Sequence, residues 1–290
     1  MCKVDLTGRV AIVTGAGSGL GRSYAIDLAK HGAKVIVNDI GSSKEGNGSN
    51  GTPAMKVVGE IKASGGIAFA DFSDVVTNAG DILKSAIAAF GTVDILVNNA
   101  GIIRDSGFGK MDEEAWDSVL DVHLKGTYAC TKAVWPVMKE KKYGRIVNIS
   151  SRSGLFGNFG QANYAAAKSA IIGLSNVLKI EGARNNILVN VVAPIAASRM
   201  TQDMMSEEVI NKSRPELVAP IVTYLCSEKC VETGAVFIAG LGSFTRAAMM
   251  TGPGWVGNGN ITADDILSNF DKINSLENPK YHHQLEKFVV

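Results

Sequence analysis

No stretch of the 290 residues approaches the roughly 20 consecutive apolar positions that span a bilayer, so membrane insertion is not expected. Charge of one sign is also missing: 29 Lys and Arg stand against 28 Asp and Glu, a formal net charge of +1. Without a run of either sign there is no footprint for a phosphate backbone or an anionic lipid surface, and neither nucleic acid nor a membrane is expected as a partner. Cysteine is scarce, at Cys2, Cys130, Cys226 and Cys230. Four irregularly spaced thiols make no secreted disulfide framework, and reduced cysteines in a cytosol-like compartment are expected. Cys226 and Cys230 lie one helical turn apart, but no second ligand pair follows at zinc-site spacing, so no metal is expected. Met1 to Gly8 lacks a basic segment followed by an apolar stretch of signal-peptide length. Lys287-Phe288-Val289-Val290 is not the peroxisomal tripeptide address. No targeting signal is therefore read here, and either that address is absent or the chain belongs to a longer one. With 7 prolines and 46% hydrophobic residues, disordered and fibrous classes are excluded and a large core, or two modest ones, can be buried.

What is present is an alternation. Apolar, β-branched runs at Val10 to Val13, Lys34 to Val37, Ile67 to Ala70, Val93 to Val97, Arg145 to Ile149, Leu188 to Val192 and Ala235 to Ile238 are separated by segments of helical spacing. Continuously apolar strands between helices describe a parallel sheet covered on both faces. The expected fold is α/β of the Rossmann type, a doubly wound seven-stranded parallel sheet with its ligand site at the carboxyl ends of the strands. Residues 1–240 are expected to form this catalytic domain. Residues 241–290 read as an extension packing on the domain or on a partner subunit, with a helix from Thr262 to Leu276 capped by Thr262 and carrying Asp264 and Asp265 in its first turn. Gly41 to Gly51, poor in apolar residues, reads as a mobile surface insertion.

Directly after the first strand comes Gly15-Ala16-Gly17-Ser18-Gly19-Leu20-Gly21 and then a helical stretch. Glycines there allow a tight turn and close approach to a pyrophosphate, while the helix amino terminus offers unpaired N–H donors. Gly15, Ser18, Gly19, Leu20 and Gly21 are therefore expected at the cofactor. Asp39 closes the second strand where such a fold places the carboxylate that accepts from the adenosine ribose hydroxyls. It would repel an extra phosphate, and Ile40 offers no compensating charge, so the cofactor read from the sequence is NAD; the plainer alternative is that Asp39 caps the following loop. Asn99, Ala100 and Gly101 end the fourth strand, where small residues let backbone pass close to adenine and ribose, and Asp74 and Val75 are candidates for the adenine pocket.

Tyr164 and Lys168 are four apart on an Ala-rich helical run and project from one face. A free phenol, with a pKa of about 10, is a poor base near neutrality, but an adjacent ammonium and a cationic nicotinamide stabilise its phenolate. Tyr164 can then take an alcohol proton as hydride leaves, or return it in reduction. Ser151, just past the fifth strand, can hydrogen-bond the same substrate oxygen, with Ser150 and Ser153 as rivals.

A glycine loop after the first strand, Asn98-Asn99-Ala100-Gly101 after the fourth, serine after the fifth and Tyr164-x-x-x-Lys168 on the next helix jointly resemble the short-chain dehydrogenase/reductase family, over residues 9 to 240. The resemblance implies an oxidoreductase in which Ser151, Tyr164 and Lys168 hold the roles above. Lys168 would also hold the nicotinamide ribose, with Pro194, Ala196 and Ala197 in the cofactor site. Many members carry an asparagine in a proton relay where this chain has His123. An imidazole can donate and accept in such a relay, and a packed histidine is the plainer alternative.

Longer strings, among them Val37-Asn38-Asp39, Ile102-Ile103-Arg104-Asp105, Val122-His123-Leu124, Gly157-Asn158-Phe159-Gly160-Gln161-Ala162-Asn163-Tyr164 and Ala193-Pro194-Ile195-Ala196-Ala197-Ser198-Arg199-Met200-Thr201, are similar to one branch, the (3R)-hydroxyacyl-CoA dehydrogenase units of peroxisomal multifunctional enzymes type two. That likeness implies an acyl-CoA substrate, β-oxidation, a homodimer, and a peroxisomal location in a eukaryote or a cytoplasmic one otherwise. The rivals are a 3-ketoacyl reductase, a steroid or sugar-alcohol dehydrogenase, and a non-catalytic NAD-binding regulator.

Overall fold

The structure, a computed structural model, describes residues 3–196 and 213–282. Seven apolar runs become strands β1 (Val10–Thr14), β2 (Lys34–Asn38), β3 (Ile67–Asp71), β4 (Ile95–Asn98), β5 (Gly144–Ile149), β6 (Ile187–Ile195) and β7 (Val236–Gly240). Helices intervene: α1 (Gly19–Lys30), α2 (Thr52–Ala63), α3 (Ala79–Phe90), α4 (Glu113–Leu120), α5 (Gly126–Lys141), α6 (Arg152–Phe156) and α7 (Ala162–Gly182), with a further helix at Ala219–Leu225. All seven strands pair in parallel, in the order β3-β2-β1-β4-β5-β6-β7. The order reverses between β1 and β4, and a crevice opens there beyond the carboxyl ends of the strands.

Successive strand residues face opposite sides, so the sheet separates two cores. Ala11, Val13, Val35, Val37, Ile95 and Val97 pack beneath Tyr24, Leu28, Val57 and Ile61 of α1 and α2. Ile12, Ile36, Leu96 and Ile146 pack with Ile82, Val134 and Met138 of α3 and α5 on the other side. Every residue of β1, β4 and β5 is buried, which is why these strands read as largely apolar runs; their polar members Thr14, Asn98, Arg145 and Asn148 are buried as well.

Two expectations need correction. The sheet has eight strands, because β8 (Ser243–Ala247) returns beside β7 through Leu241 and Gly242, both left-handed at φ 54° and 75°, a two-residue turn of hairpin type. β8 is exposed along most of its length and carries no apolar run, so hydrophobic patterning could not reveal it. The segment at 41–51 is also tied down. Asn50 N donates to Ile40 O (2.9 Å), Ser43 N to Asn47 O (2.9 Å), and Ile103 N to Lys44 O (2.9 Å); Arg104 Nε donates to Glu45 O (3.0 Å). Polar composition excludes burial, but it does not exclude anchoring through the main chain.

The chain divides into two compact units, Met1–Arg246 and Ala247–Val290. In the second, β9 (Met250–Thr251) pairs antiparallel with β10 (Lys280–Tyr281), and a helix spans Ala263–Asn274. Thr262 caps it as expected, in a reciprocal box with Asp265. No described helix is long and apolar enough to cross a membrane.

Candidate active site

The crevice between β1 and β4 is a cleft of about 190 Å³. Thr14 Oγ1, at the end of β1, accepts from Asn99 N (3.0 Å) and Ala100 N (3.1 Å). Asn99 Nδ2 in return donates to Thr14 O and Gly15 O, both at 3.0 Å. One asparagine thus ties the glycine loop to β4. Asn98 Nδ2 does the same one strand over, donating to Asn148 Oδ1 (2.8 Å) of β5.

This close approach needs glycine. A Cβ on Gly15 would lie 2.7 Å from Ala100 Cα, and one on Gly21 would lie 2.1 Å from Gly15 O. Gly15 and Gly19 are left-handed, at φ 62° and 55°, and beyond Gly19 a Cβ would meet nothing within 4 Å. Ser18 caps α1 without a side-chain hydrogen bond, which leaves first-turn N–H groups and the helix dipole to attract an anion. Gly15, Ser18, Gly19, Leu20, Gly21, Asp74, Val75, Asn99, Ala100 and Gly101 all line this cleft, with Asp39 at its β2 side. The Asp39 carboxylate is fixed by two backbone donors, Gly17 N to Oδ2 and Gly41 N to Oδ1, each at 2.7 Å. A glycine cradle, an open helix terminus and a fixed carboxylate at the far wall fit a dinucleotide.

Pro194 and Ala196 stand at the end of β6, apart from the residues lining the cleft, and Ala197 lies outside the described residues. The lining includes residues that sequence reasoning missed: Ser42, Ser43, Lys44 and Gly46 from the 41–51 segment, and Ile102 and Val122 opposite. Their only sequence signal was proximity to Asp39 and to the Asn-Asn-Ala-Gly string.

Three separate segments meet at the reacting centre: the 121–125 turn, the residues after β5, and α7. Lys168 is buried on α7, and its Nζ donates to Ile149 O (2.6 Å) while lying 5.6 Å from the Tyr164 ring centre. Burial pulls its ammonium down to about 7. Burial pushes the Tyr164 hydroxyl up, a hydrogen bond from Ser151 lowers it, and the negative charge of Asp105 raises it. Desolvation thus favours the neutral form of each, so a phenolate here depends on a positive neighbour. Among the three serines the structure discriminates. Ser150 Oγ is buried and donates to Lys168 O (2.8 Å), and Ser153 Oγ donates to Gln161 Oε1 (2.8 Å). Of the three, Ser151 is the serine close enough to lower the Tyr164 hydroxyl.

His123 lies on a π-helical turn, Asp121–Lys125, between α4 and α5, a local widening that recurs at functional sites. Its ring stands edge-on to Tyr164 with centres 5.1 Å apart. Nε2 is 3.1 Å from Ile102 N and 2.8 Å from Ile102 O, whereas Nδ1 is buried without a partner. Burial, and then the nearby Lys168 charge, hold the ring well below its usual range, so it is neutral. The 101–102 backbone packs directly on it: a Cβ on Gly101 would lie 2.1 Å from His123 Cε1.

Comparison with known proteins agrees with this geometry. Residues 9–209 match the short chain dehydrogenase family. A peroxisomal multifunctional enzyme type 2 of Drosophila melanogaster is 51% identical over 254 residues, 88% of this chain but 42% of that protein. The full-length structure of that enzyme superposes with a TM-score of 0.82 at 38% identity, covering 96% of this chain and 47% of the other. A short-chain type dehydrogenase/reductase of Mycobacterium tuberculosis is 47% identical over 94% of this chain and 96% of its own length. A 7α-hydroxysteroid dehydrogenase complexed with NADH and a 7-oxo bile acid gives a TM-score of 0.74 at 29% identity, over 82% of this chain and 95% of that one. The chain therefore spans less than half of the fly enzyme and nearly all of the mycobacterial one.

Proposed function

The chain belongs to the short-chain dehydrogenase family, and from that premise we propose that it is an NAD-dependent oxidoreductase converting (3R)-3-hydroxyacyl-CoA to 3-ketoacyl-CoA. The observation that carries the reading is the meeting of Ser151, Tyr164 and Lys168 at one point, in a chain whose adjoining cleft ends on a backbone-fixed carboxylate. Asp39 supports NAD over NADP, because a 2′-phosphate beside it would meet a negative charge. The acyl-CoA substrate is supported by the likeness to peroxisomal multifunctional enzymes and hydratase-dehydrogenase-epimerases.

When bound, the nicotinamide supplies the hydride acceptor. Tyr164 takes the proton of the substrate hydroxyl, and Ser151, whose oxygen already accepts from Ser153 N (3.1 Å), directs its own proton toward the shared oxygen site. Lys168 provides the positive charge that the buried phenolate needs and would hold the nicotinamide ribose. His123 keeps Nδ1 as a neutral donor or acceptor beside the pair, suited to passing a proton onward. By the same likeness, the working unit is a homodimer, peroxisomal in a eukaryotic host and cytoplasmic in a bacterial one.

The test is NADH formation across a panel of 3R and 3S hydroxyacyl-CoAs, bile acids and polyols, repeated with NADP. Turnover of 3R substrates with NAD supports the proposal. Preference for bile acids would install the steroid reading, to which the likeness with the NADH-bound hydroxysteroid dehydrogenase lends support. Preference for NADP would favour a ketoacyl reductase, and cofactor binding without turnover a regulator.

A further inference from the structure

The segment between β2 and α2 runs across the cofactor cleft rather than away from it. β2 and β4 flank β1 on opposite sides, so a chain rooted at the end of β2 and docked beyond β4 crosses the end of β1, where the glycine loop lies. Two strand spacings, about 9.5 Å, separate those anchors. The root is pinched shut: Asn50 N donates to Ile40 O (2.9 Å), and a Cβ on Gly41 would lie 1.7 Å from Asn50 O. At the tip, Ser43 N donates to Asn47 O (2.9 Å) and Gly46 N to Ser43 O (3.1 Å), while Ser43 Oγ accepts from Glu45 N and Asn47 N, both at 3.3 Å. A compact loop with joined ends is a preformed body rather than a slack linker. Its far contacts are few: Ile103 N to Lys44 O (2.9 Å), Arg104 Nε to Glu45 O (3.0 Å), and Gly46 against the Ile102 side chain, where a Cβ would lie 3.1 Å from Cδ1. From this loop Ser42, Ser43, Lys44 and Gly46 line the cleft.

We propose that residues 41–51 are a latched strap over the cofactor: the dinucleotide lies beneath it, and enters or leaves when Lys44, Glu45 and Gly46 part from Ile102, Ile103 and Arg104. The proposal rests on the dehydrogenase reading, which supplies the dinucleotide. Two observations separate a strap from a fixed wall. The root is held at β2 and the body by its own bonds, so the loop stays intact when the far contacts break. Those far contacts are two hydrogen bonds and one side-chain contact, on a loop whose Lys44 and Gly46 are exposed. Docking of that kind opens locally while the core stays folded. Lid opening limits product release in many enzymes, and here it would govern exchange of the oxidised for the reduced cofactor. The strap also accounts for the composition of 41–51. Ser43 shapes the tip, and the main-chain carbonyls of Lys44 and Glu45 make the latch, so few apolar residues are needed.

Cofactor exchange is the readout, followed by stopped-flow NADH fluorescence on the full chain without substrate. In Arg104→Ala, which loses the bond to Glu45 O, NADH should dissociate roughly three- to tenfold faster and associate faster by about twofold or more, because a larger share of the protein stands open. A wall that touches the cofactor without moving would change dissociation alone, so an unchanged association rate overturns the proposal. A staple tests the opposite limit. A Cβ at position 46 would stand 3.8 Å from Ile102 Cβ, and the mean span in a disulfide is about 3.8 Å, so Gly46→Cys with Ile102→Cys can be closed by oxidation. The oxidised protein should take up and release NADH about tenfold or more slowly than the same protein reduced. Comparing redox states of one protein cancels the effect of the substitutions themselves, and equal rates in the two states overturn the proposal. Gly46 is left-handed at φ 91°, where any side chain is strained; if the double variant does not fold, the Arg104→Ala association rate decides alone. Failure of the parent to bind either NADH or NADPH would sink the dehydrogenase reading. Binding whose rates ignore both the staple and Arg104→Ala would sink the strap and leave that reading standing.

Discussion

The two ends of the cleft are built by different means. At the β1–β2 end, recognition is a property of the main chain: glycines at 15, 19 and 21, N–H groups at the start of α1, and a carboxylate whose oxygens are both held by backbone donors. Beside the other end, side chains from three segments, His123, Ser151 and the α7 pair Tyr164 and Lys168, meet in a desolvated space where Lys168 falls to about 7 and an imidazole nitrogen has no partner. Main-chain recognition tolerates water and supplies affinity. Desolvated side chains cost stability and supply chemistry. Substitutions at the first end should therefore change binding, and those at the second should change turnover.

The sharpest break is Tyr164→Phe. Loss of the proton acceptor should lower kcat by about 10²- to 10⁴-fold, the range for general acid–base groups, while NAD affinity stays within about twofold because the ring remains and this end contributes little affinity. Stopped-flow turnover and cofactor fluorescence titration check both halves. Comparable losses in affinity would erase the division of labour.

His123→Ala comes next, with turnover reduced roughly ten- to a thousandfold if Nδ1 passes a proton. His123→Asn should recover most of it, since an amide also donates and accepts. Thermal unfolding must accompany the assay, because alanine would also release the Ile102 backbone. Lost stability with unchanged kcat would reduce His123 to a packing residue.

The same contrast explains what could be read before folding. β1, β4 and β5 are buried throughout, so their sequences are mostly apolar, with Thr14, Asn98, Arg145 and Asn148 as buried polar exceptions; the glycine loop and the Tyr164/Lys168 pair are each local in sequence. The eight-stranded edge was not legible because Ser243–Ala247 is mostly exposed and carries no apolar run. The partner of His123 is a main-chain group at Ile102, and the 41–51 segment is held through Lys44 O and Glu45 O. Backbone partners leave no mark on residue type. The Asp105–Gln161 bond joins side chains 56 positions apart, and neither partner belongs to a periodic pattern.

Asp39→Ala tests the opposite end. Losing hydrogen bonds to a charged group should weaken NAD by roughly 1.5 to 3 kcal/mol and leave NADP binding equal or better, with kcat at saturating NAD nearly unchanged. The ratio of kcat/KM for the two cofactors is the readout. A parent enzyme that already prefers NADP would overturn the assignment of this wall.

The smallest effect is expected where the two ends are joined. Arg104 donates to Glu45 O of the 41–51 segment (3.0 Å) and pairs with the exposed Glu114 (2.7 Å), while its own carbonyl accepts from Asn163, the neighbour of Tyr164. Arg104→Ala removes the first two contacts and keeps the third, because a backbone acceptor survives side-chain truncation. An exposed ion pair contributes about 1 kcal/mol or less, and one hydrogen bond about the same. The expected result is therefore a several-fold rise in the dissociation constant of NAD, faster amide exchange at Ile103, whose N–H bonds Lys44 O, and an unchanged kcat. If kcat falls while affinity holds, the 41–51 segment belongs with the side-chain machinery, and the boundary between the two ends must be drawn on the β2 side of Lys44.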